Sequence, residues 1–239
     1  MHPTLLLAQS LDLKQEKGQS CVADNGFCPS WIKDNYTDYI GPLITHALLT
    51  AVIVAIGFGI SFTLAVLAHR RRWLTGPVIG VTGFLYTNPS IGAFILLIPI
   101  FGLGLTSVMV VMVSYTLLIL FRNVTLGLRN VPRETVDAGR GMGLTSNQLL
   151  WRVELPLALP EIFAGLRIAA TTTVGLLTLS YLGGYDKNLS QFFSDPSTDL
   201  SFKSNVVLAG GLCILLAAAF DAVILLAQRL TTPWTRAAR

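Results

Sequence analysis

From Trp73 to Phe121 the chain runs for 49 residues without one Asp, Glu, Lys or Arg. One helix of that length would measure about 74 Å, against a bilayer hydrocarbon core of about 30 Å. The run must fold back on itself, and Gly102-Leu103-Gly104, just after Pro99, is its natural break. A second span is expected near 76–101 and a third near 105–122. Tyr39 to Ala68, equally uncharged, makes the first. Ile168 to Tyr185 supports a fourth, starting at Pro160, since proline is accommodated in a first helical turn. Asn205 to Leu230 supports a fifth, with Asp221 its only acid. Charged residues make up 13% of the chain, against about 25% in a soluble domain. The expectation is an all-α, polytopic membrane protein with about five transmembrane helices.

Five crossings place the two ends on opposite sides, and the cations test that arrangement. All twelve arginines fall at 70–72, 122–167 and 229–239, on one side of the five-span arrangement; all five lysines (14, 17, 33, 187 and 203) fall on the other. Arginine and lysine accumulate in cytoplasmic loops, so the arginine side is expected inside and the amino terminus outside. Three regions result: an extracytoplasmic tail over 1–38, a transmembrane domain over 39–230 with a cytoplasmic loop at 123–160, and a cytoplasmic tail over 231–239. The net charge of +4 comes with no basic face and no aromatic-interleaved basic patch, so a nucleic-acid partner is not expected. The stretch before Gln15 is too short and polar for a clear signal peptide. Cys21 and Cys28 lie in the expected outer tail, where a disulfide is permitted; the sequence leaves open a bridge or two free thiols. Cys213 reads as apolar filler. No metal-site spacing is present.

The 123–160 loop is long and polar for a membrane protein. Val131-Pro132-Arg133-Glu134 is a good helix start, with proline in the first turn and an acid near the positive helix end. That helix should run to about Met142 and break at Gly143. Thr145 or Ser146 can cap a second short helix through Trp151 or Val153, which Leu155-Pro156 and Leu159-Pro160 should end before the next span. Small residues at 138, 139, 141 and 143 would let another surface come close. On these grounds alone the segment is either a docking knob or a plain re-entry loop.

Asp137-Ala138-Gly139, three residues, Gly143, nine residues, then Val153-x-Leu155-Pro156 resembles the EAA loop of ABC importer permeases, which reads E-A-A, three residues, G, nine residues, I-x-L-P. Asp replaces Glu, Gly replaces the second Ala and Val replaces Ile. The resemblance implies the type I importer permease fold and a loop, carrying Glu134, Asp137, Ala138, Gly139, Gly143, Val153, Leu155 and Pro156, that seats in a cleft of an ATPase subunit. It further implies an ATPase dimer, a second permease subunit (identical or paralogous) and an extracytoplasmic substrate-binding protein. The chain has no G-x-x-x-x-G-K-S/T phosphate loop, so ATP and magnesium would belong to the partner and the chain would be a transport subunit, not an enzyme.

Over roughly 40–235 the chain is similar to the osmoprotectant permeases, those for glycine betaine, choline and carnitine. Thr87-Asn88-Pro89-Ser90 looks like their T-x-P-S segment. Tyr115-Thr116-Leu117-Leu118, Gly127-Leu128, Glu154-Leu155-Pro156 and Ala164-Gly165-Leu166-Arg167 fit as well, as do Asp221 and Gln228 to Trp234. Ser90-Ile91-Gly92-Ala93 and Leu182-Gly183-Gly184-Tyr185 depart from the usual pattern near the expected pathway. The alternatives are a permease for another small solute, such as methionine or a sulfonate, and a self-contained channel. Tyr86, Thr87, Asn88, Ser90, Tyr115 and Thr172 are polar at membrane depth, where such groups either join helices or line a water-filled path. Asp221 is left without an assigned partner.

Overall fold

A computed structural model of the chain describes residues 28–194 and 203–233. Among them the regular structure is helical. Helix α1 (Pro29–Asn35) leads through a 3-10 turn (Tyr36–Tyr39) into α2 (Ile40–Arg70). A short turn at Arg72–Leu74 precedes α3 (Thr75–Thr87) and α4 (Ser90–Phe101). Helix α5 (Leu105–Arg129) follows, then α6 (Arg133–Gly141), α7 (Ser146–Leu149), a π-helical stretch (Leu150–Glu154) and α8 (Leu155–Leu177). A turn at Ser180–Gly183, α9 (Gln191–Ser194) and α10 (Lys203–Thr231) complete the described chain.

Three of these helical runs are long and apolar enough to cross a membrane: 29–70, 105–129 and 204–231. The first begins at Pro29, inside the segment expected as a tail. The expected break at 102–104 is present. Gly102 and Gly104 hold φ of 75° and 134°, a region that disfavours residues with a Cβ.

The expected second span is not one continuous helix. Helices α3 and α4 meet at an angle of 100°. At 13 and 12 residues they reach about 20 and 18 Å, and neither crosses the bilayer alone. The cause is Pro89. It removes a helix donor and drives the residue before it out of the α region. Asn88 (ψ 130°) and Pro89 (ψ 135°) are both extended.

The expected fourth span also needs correction. Leu155-Pro156 and Leu159-Pro160 do not separate two helices; the chain stays helical from Ser146 to Leu177. Pro156 takes the first turn of α8 and Pro160 lies within it. The π stretch directly before Pro156 accounts for this. Widening the helix by one residue gives room for a proline ring that would clash in a regular ladder. Helix α8 ends at Leu177, short of the expected Tyr185. It is long enough to cross, but Glu161, Arg167 and three consecutive threonines keep it below a fully apolar composition. Its position explains that tolerance, because it packs against α2, α5 and α10 rather than lying outside them.

Helix α5 is the spine. Val108, Val111, Met112 and Tyr115 pack with Ile53, Phe94 and Leu177 at one end. Phe121, Val124 and Leu128 pack with Ala65, Ala68, Ala158 and Ile162 at the other. Near the α1 end, Tyr39 stacks on Phe192 with ring centres 3.8 Å apart and donates to Asn205 Oδ1. Large apolar side chains such as Ile44, Leu48, Val52, Ile56 and Ile60 stay exposed along one stripe of α2. A lipid solvent makes no demand that they be buried.

Candidate functional site: the helical elbow and the helix break

The elbow is built by its caps. Helix α6 ends at Gly143 (φ 81°), whose N–H donates to Arg140 O while Leu144 N–H donates to Gly139 O. These are the two bonds of a Schellman motif, with glycine at the left-handed position. Two residues later Thr145 starts α7 with a reciprocal capping box: its Oγ1 accepts from Gln148 N–H, and its own N–H donates to Gln148 Oε1 at 2.9 Å. Between them these caps leave the turn little freedom.

Gly139 is the buried hinge of the motif. A Cβ there would lie 2.7 Å from Leu149 Cδ1, 3.5 Å from Leu144 Cδ1 and 3.8 Å from Val153 Cγ2. Its missing side chain lets α6 lie on α7 and the π stretch. Val153 therefore belongs to the same contact, and Leu155 and Pro156 open α8 directly behind it. Glu134, Asp137, Ala138 and Gly143 are exposed. Residues 133, 136, 137 and 140 share one face of α6 by helical spacing; Glu134, Ala138 and Gly141 share another, and Met142 beyond them is 75% exposed. The Asp137–Arg140 pair, at 3.7 Å and mostly exposed, contributes little. The elbow is tied to the bundle by Glu154, which is buried and meets His69 Nε2 at 2.8 Å. Arg70 also donates to Asn147 Oδ1 at 2.6 Å.

The break between α3 and α4 brings Tyr86, Asn88 and Tyr115 together. The break strips Asn88 O of a helical donor, and the Tyr115 hydroxyl supplies one from α5. Tyr86 packs edge-on against Tyr115 with ring centres 5.9 Å apart. Thr87 donates back to Gly83 O at 2.7 Å. Ser90 opens α4 beside them. Thr172 lies on α8, and none of the hydrogen bonds or ring contacts of this group reaches it. Of the two outer-tail cysteines for which the sequence leaves a bridge or free thiols open, Cys21 lies outside the described residues.

Residues 55–237 match the family described as binding-protein-dependent transport system inner membrane component. The chain belongs to that family. Among its relatives, the osmoprotectant import permease protein OsmW of Salmonella typhimurium is 34% identical over 79% of this chain and 89% of its own length. The choline transport system permease protein OpuBB of Bacillus subtilis is 30% identical over 79% and 86%. Two solved structures share the fold. The MetNI methionine ABC transporter gives a TM-score of 0.62 at 22% identity, over 78% of this chain and 94% of that one. An amino acid ABC transporter gives 0.69 at 17% identity, over 84% and 96%.

This permease is thus a multi-pass membrane protein and a transport subunit rather than an enzyme. Its family implies a substrate-binding protein and an ATPase as partners. Asp221, the acid that the sequence leaves without a partner, pairs with Arg167 across α8 and α10. Arg167 Nε meets Oδ1 at 2.6 Å and Nη2 meets Oδ2 at 2.9 Å, a bidentate fork. The one signal that could have suggested it is a basic residue directly before the fourth apolar run of a chain with one deep acid. His46 is a helix joint: it is fully buried and its Nε2 meets Val174 O at 3.0 Å. The glycines of Gly127-Leu128 and Ala164-Gly165 mark the crossing of α5 and α8. A Cβ on Gly127 would lie 2.9 Å from Ala158 O, and one on Gly165 would lie 2.5 Å from Asn123 Cβ.

Proposed function

We propose that this permease is the translocating subunit of an ATP-driven importer for an osmoprotectant of the glycine betaine, choline and carnitine class. The observation that carries the reading is the match to permeases named for osmoprotectant and choline transport at 34% and 30% identity over 79% of the chain. Relatives named for carnitine and for glycine betaine/carnitine/choline transport are 33% and 31% identical. The likeness to the methionine and amino acid transporters is too distant in sequence to speak for their substrates.

In this reading two permease subunits, identical or paralogous, enclose the path. An ATPase dimer, holding ATP and magnesium, receives the elbows through Glu134, Asp137 and Ala138 with their neighbours, while Gly139, Gly143, Val153, Leu155 and Pro156 keep the elbow in shape. A binding protein delivers the substrate from outside. The partition of arginine and lysine sets the amino terminus outside, the elbow and carboxyl terminus inside. Tyr86, Thr87, Asn88, Ser90, Tyr115 and Thr172 border the path. Closure of the ATPases moves the elbow, and α8, continuous with it, carries that motion into the bundle.

The test is uptake by proteoliposomes containing this permease, its ATPase and its binding protein. Labelled glycine betaine, choline and carnitine are offered with and without internal ATP. ATP-dependent uptake of at least one, competed by the others and not by methionine or a sulfonate, is expected. ATP-dependent uptake of methionine or a sulfonate alone overturns the substrate assignment; conduction without ATP overturns the importer.

A further inference from the structure

A cleft of about 850 Å³ opens at the arginine-rich end of the bundle, behind the elbow. Its walls are the end of α2, the turn after it, the start of α3, the end of α5, one face of α6 and the end of the π stretch. Arg72, Arg129, Arg133 and Arg140 all line it, against the carboxylates of Asp137 and Glu154. Both carboxylates are already engaged, Glu154 with His69 and Asp137 with Arg140. The side chains of Arg72, Arg129 and Arg133 make no ion pair or hydrogen bond among the described residues. Four guanidiniums drawn from three elements against two carboxylates leave the cleft net positive and favour an anion there.

We propose that this cleft is a binding site for a phosphate-bearing anion, held by Arg72, Arg129, Arg133 and Arg140. Guanidiniums are forked donors matched to phosphate oxygens. Donors arriving from three elements suit a tetrahedral group better than one planar carboxylate. The volume is that of a small-molecule site. Two sources offer this chemistry, a soluble phosphate and the headgroup of an anionic lipid at the membrane edge. Either would tie α6 to the ends of α2 and α5, so occupancy would bear on how freely the elbow moves.

The experiment uses the full chain purified alone in detergent, which avoids the nucleotide sites of an ATPase. Inorganic pyrophosphate is one probe. Phosphatidylglycerol is the other, with phosphatidylcholine as control, read as retained lipid by native mass spectrometry. Wild type should bind pyrophosphate, phosphatidylglycerol or both. The Arg72→Gln/Arg129→Gln double variant should weaken that binding by about tenfold or more. Arg133→Gln, an exposed residue on the α6 wall, should weaken it several-fold while eluting as wild type on size exclusion. Pyrophosphate binding alone identifies a soluble phosphate; phosphatidylglycerol retention alone identifies a lipid. Wild type that binds neither probe, or binding that is unchanged in the double variant and in Arg133→Gln, overturns the proposal. If the double variant also fails to co-purify with the ATPase, the arginines belong to that contact instead.

Discussion

Replacing Arg167 by leucine leaves Asp221 without its fork between α8 and α10. Arg167 stands twelve residues into α8 from Leu155, and Asp221 ten residues before Thr231, or about 18 and 15 Å along their helices. Both therefore lie near mid-depth of a core of about 30 Å. A carboxylate at that depth is disfavoured unless it is paired. The two bonds of 2.6 and 2.9 Å supply the pairing. Both side chains are 35% exposed, and any water on that side screens them, so the expected loss is modest.

A double-mutant cycle isolates that loss. Arg167→Leu should lower the thermal midpoint by about 2–4 °C, read by fluorescence-detected size exclusion. Asp221→Leu should cost less, because the arginine left behind can carry its charge towards the membrane surface on a long stem. The double variant should regain most of the loss. A double variant whose shift is the plain sum of the two single shifts, as expected of independent sites, would refute the pair as a joint between α8 and α10.

Three further substitutions probe the elbow, the helix crossing and the break. Gly143→Ala meets open space but forces a Cβ into the left-handed region, costing about 1–2 kcal/mol; uptake should fall modestly, whereas Gly143→Leu should abolish it while the protein still reaches the membrane. Normal uptake by Gly143→Leu would refute a docking role for the elbow. Gly165→Leu drives a side chain into Asn123, whose Cβ would lie 2.5 Å from the new Cβ; folded protein on size exclusion should drop sharply, and wild-type recovery would refute the tight crossing. Tyr115→Phe removes the donor to Asn88 O and should cost about 1–3 kcal/mol of stability, seen as a lower thermal midpoint; an unchanged midpoint would mean that the bent pair does not depend on that bond.

The elbow was legible because its instructions are local. Pro132 before α6, Gly143 after it and Thr145 before α7 each act within a few residues, and each sits where the structure uses it. The break at Gly102–Gly104 was legible for the same reason. What the sequence hid was long-range or cooperative. Pro89 announces a disturbed helix, but the 100° bend also depends on Tyr115, 26 residues on, satisfying the freed carbonyl. Pro156 and Pro160 read locally as stops; the π stretch before them is the compensation that lets the helix continue. Arg167 and Asp221 are 54 positions apart, and nothing local to either names the other.

That continuity has a mechanical consequence. A loop joined to a span by a flexible turn would absorb displacement in the turn. Here Ser146 to Leu177 is one helical run, and the buried Glu154–His69 contact lies at its π stretch. A displacement of the elbow along that run has two places to go: into the π stretch, the least regular part of the helix, or down α8 to the Arg167–Asp221 joint with α10. Close glycine crossings hold α8 against α5 at Gly127 and Gly165. The stiff route therefore leads past those glycines towards α10, and the π stretch with its His69 contact is where slack must be taken up.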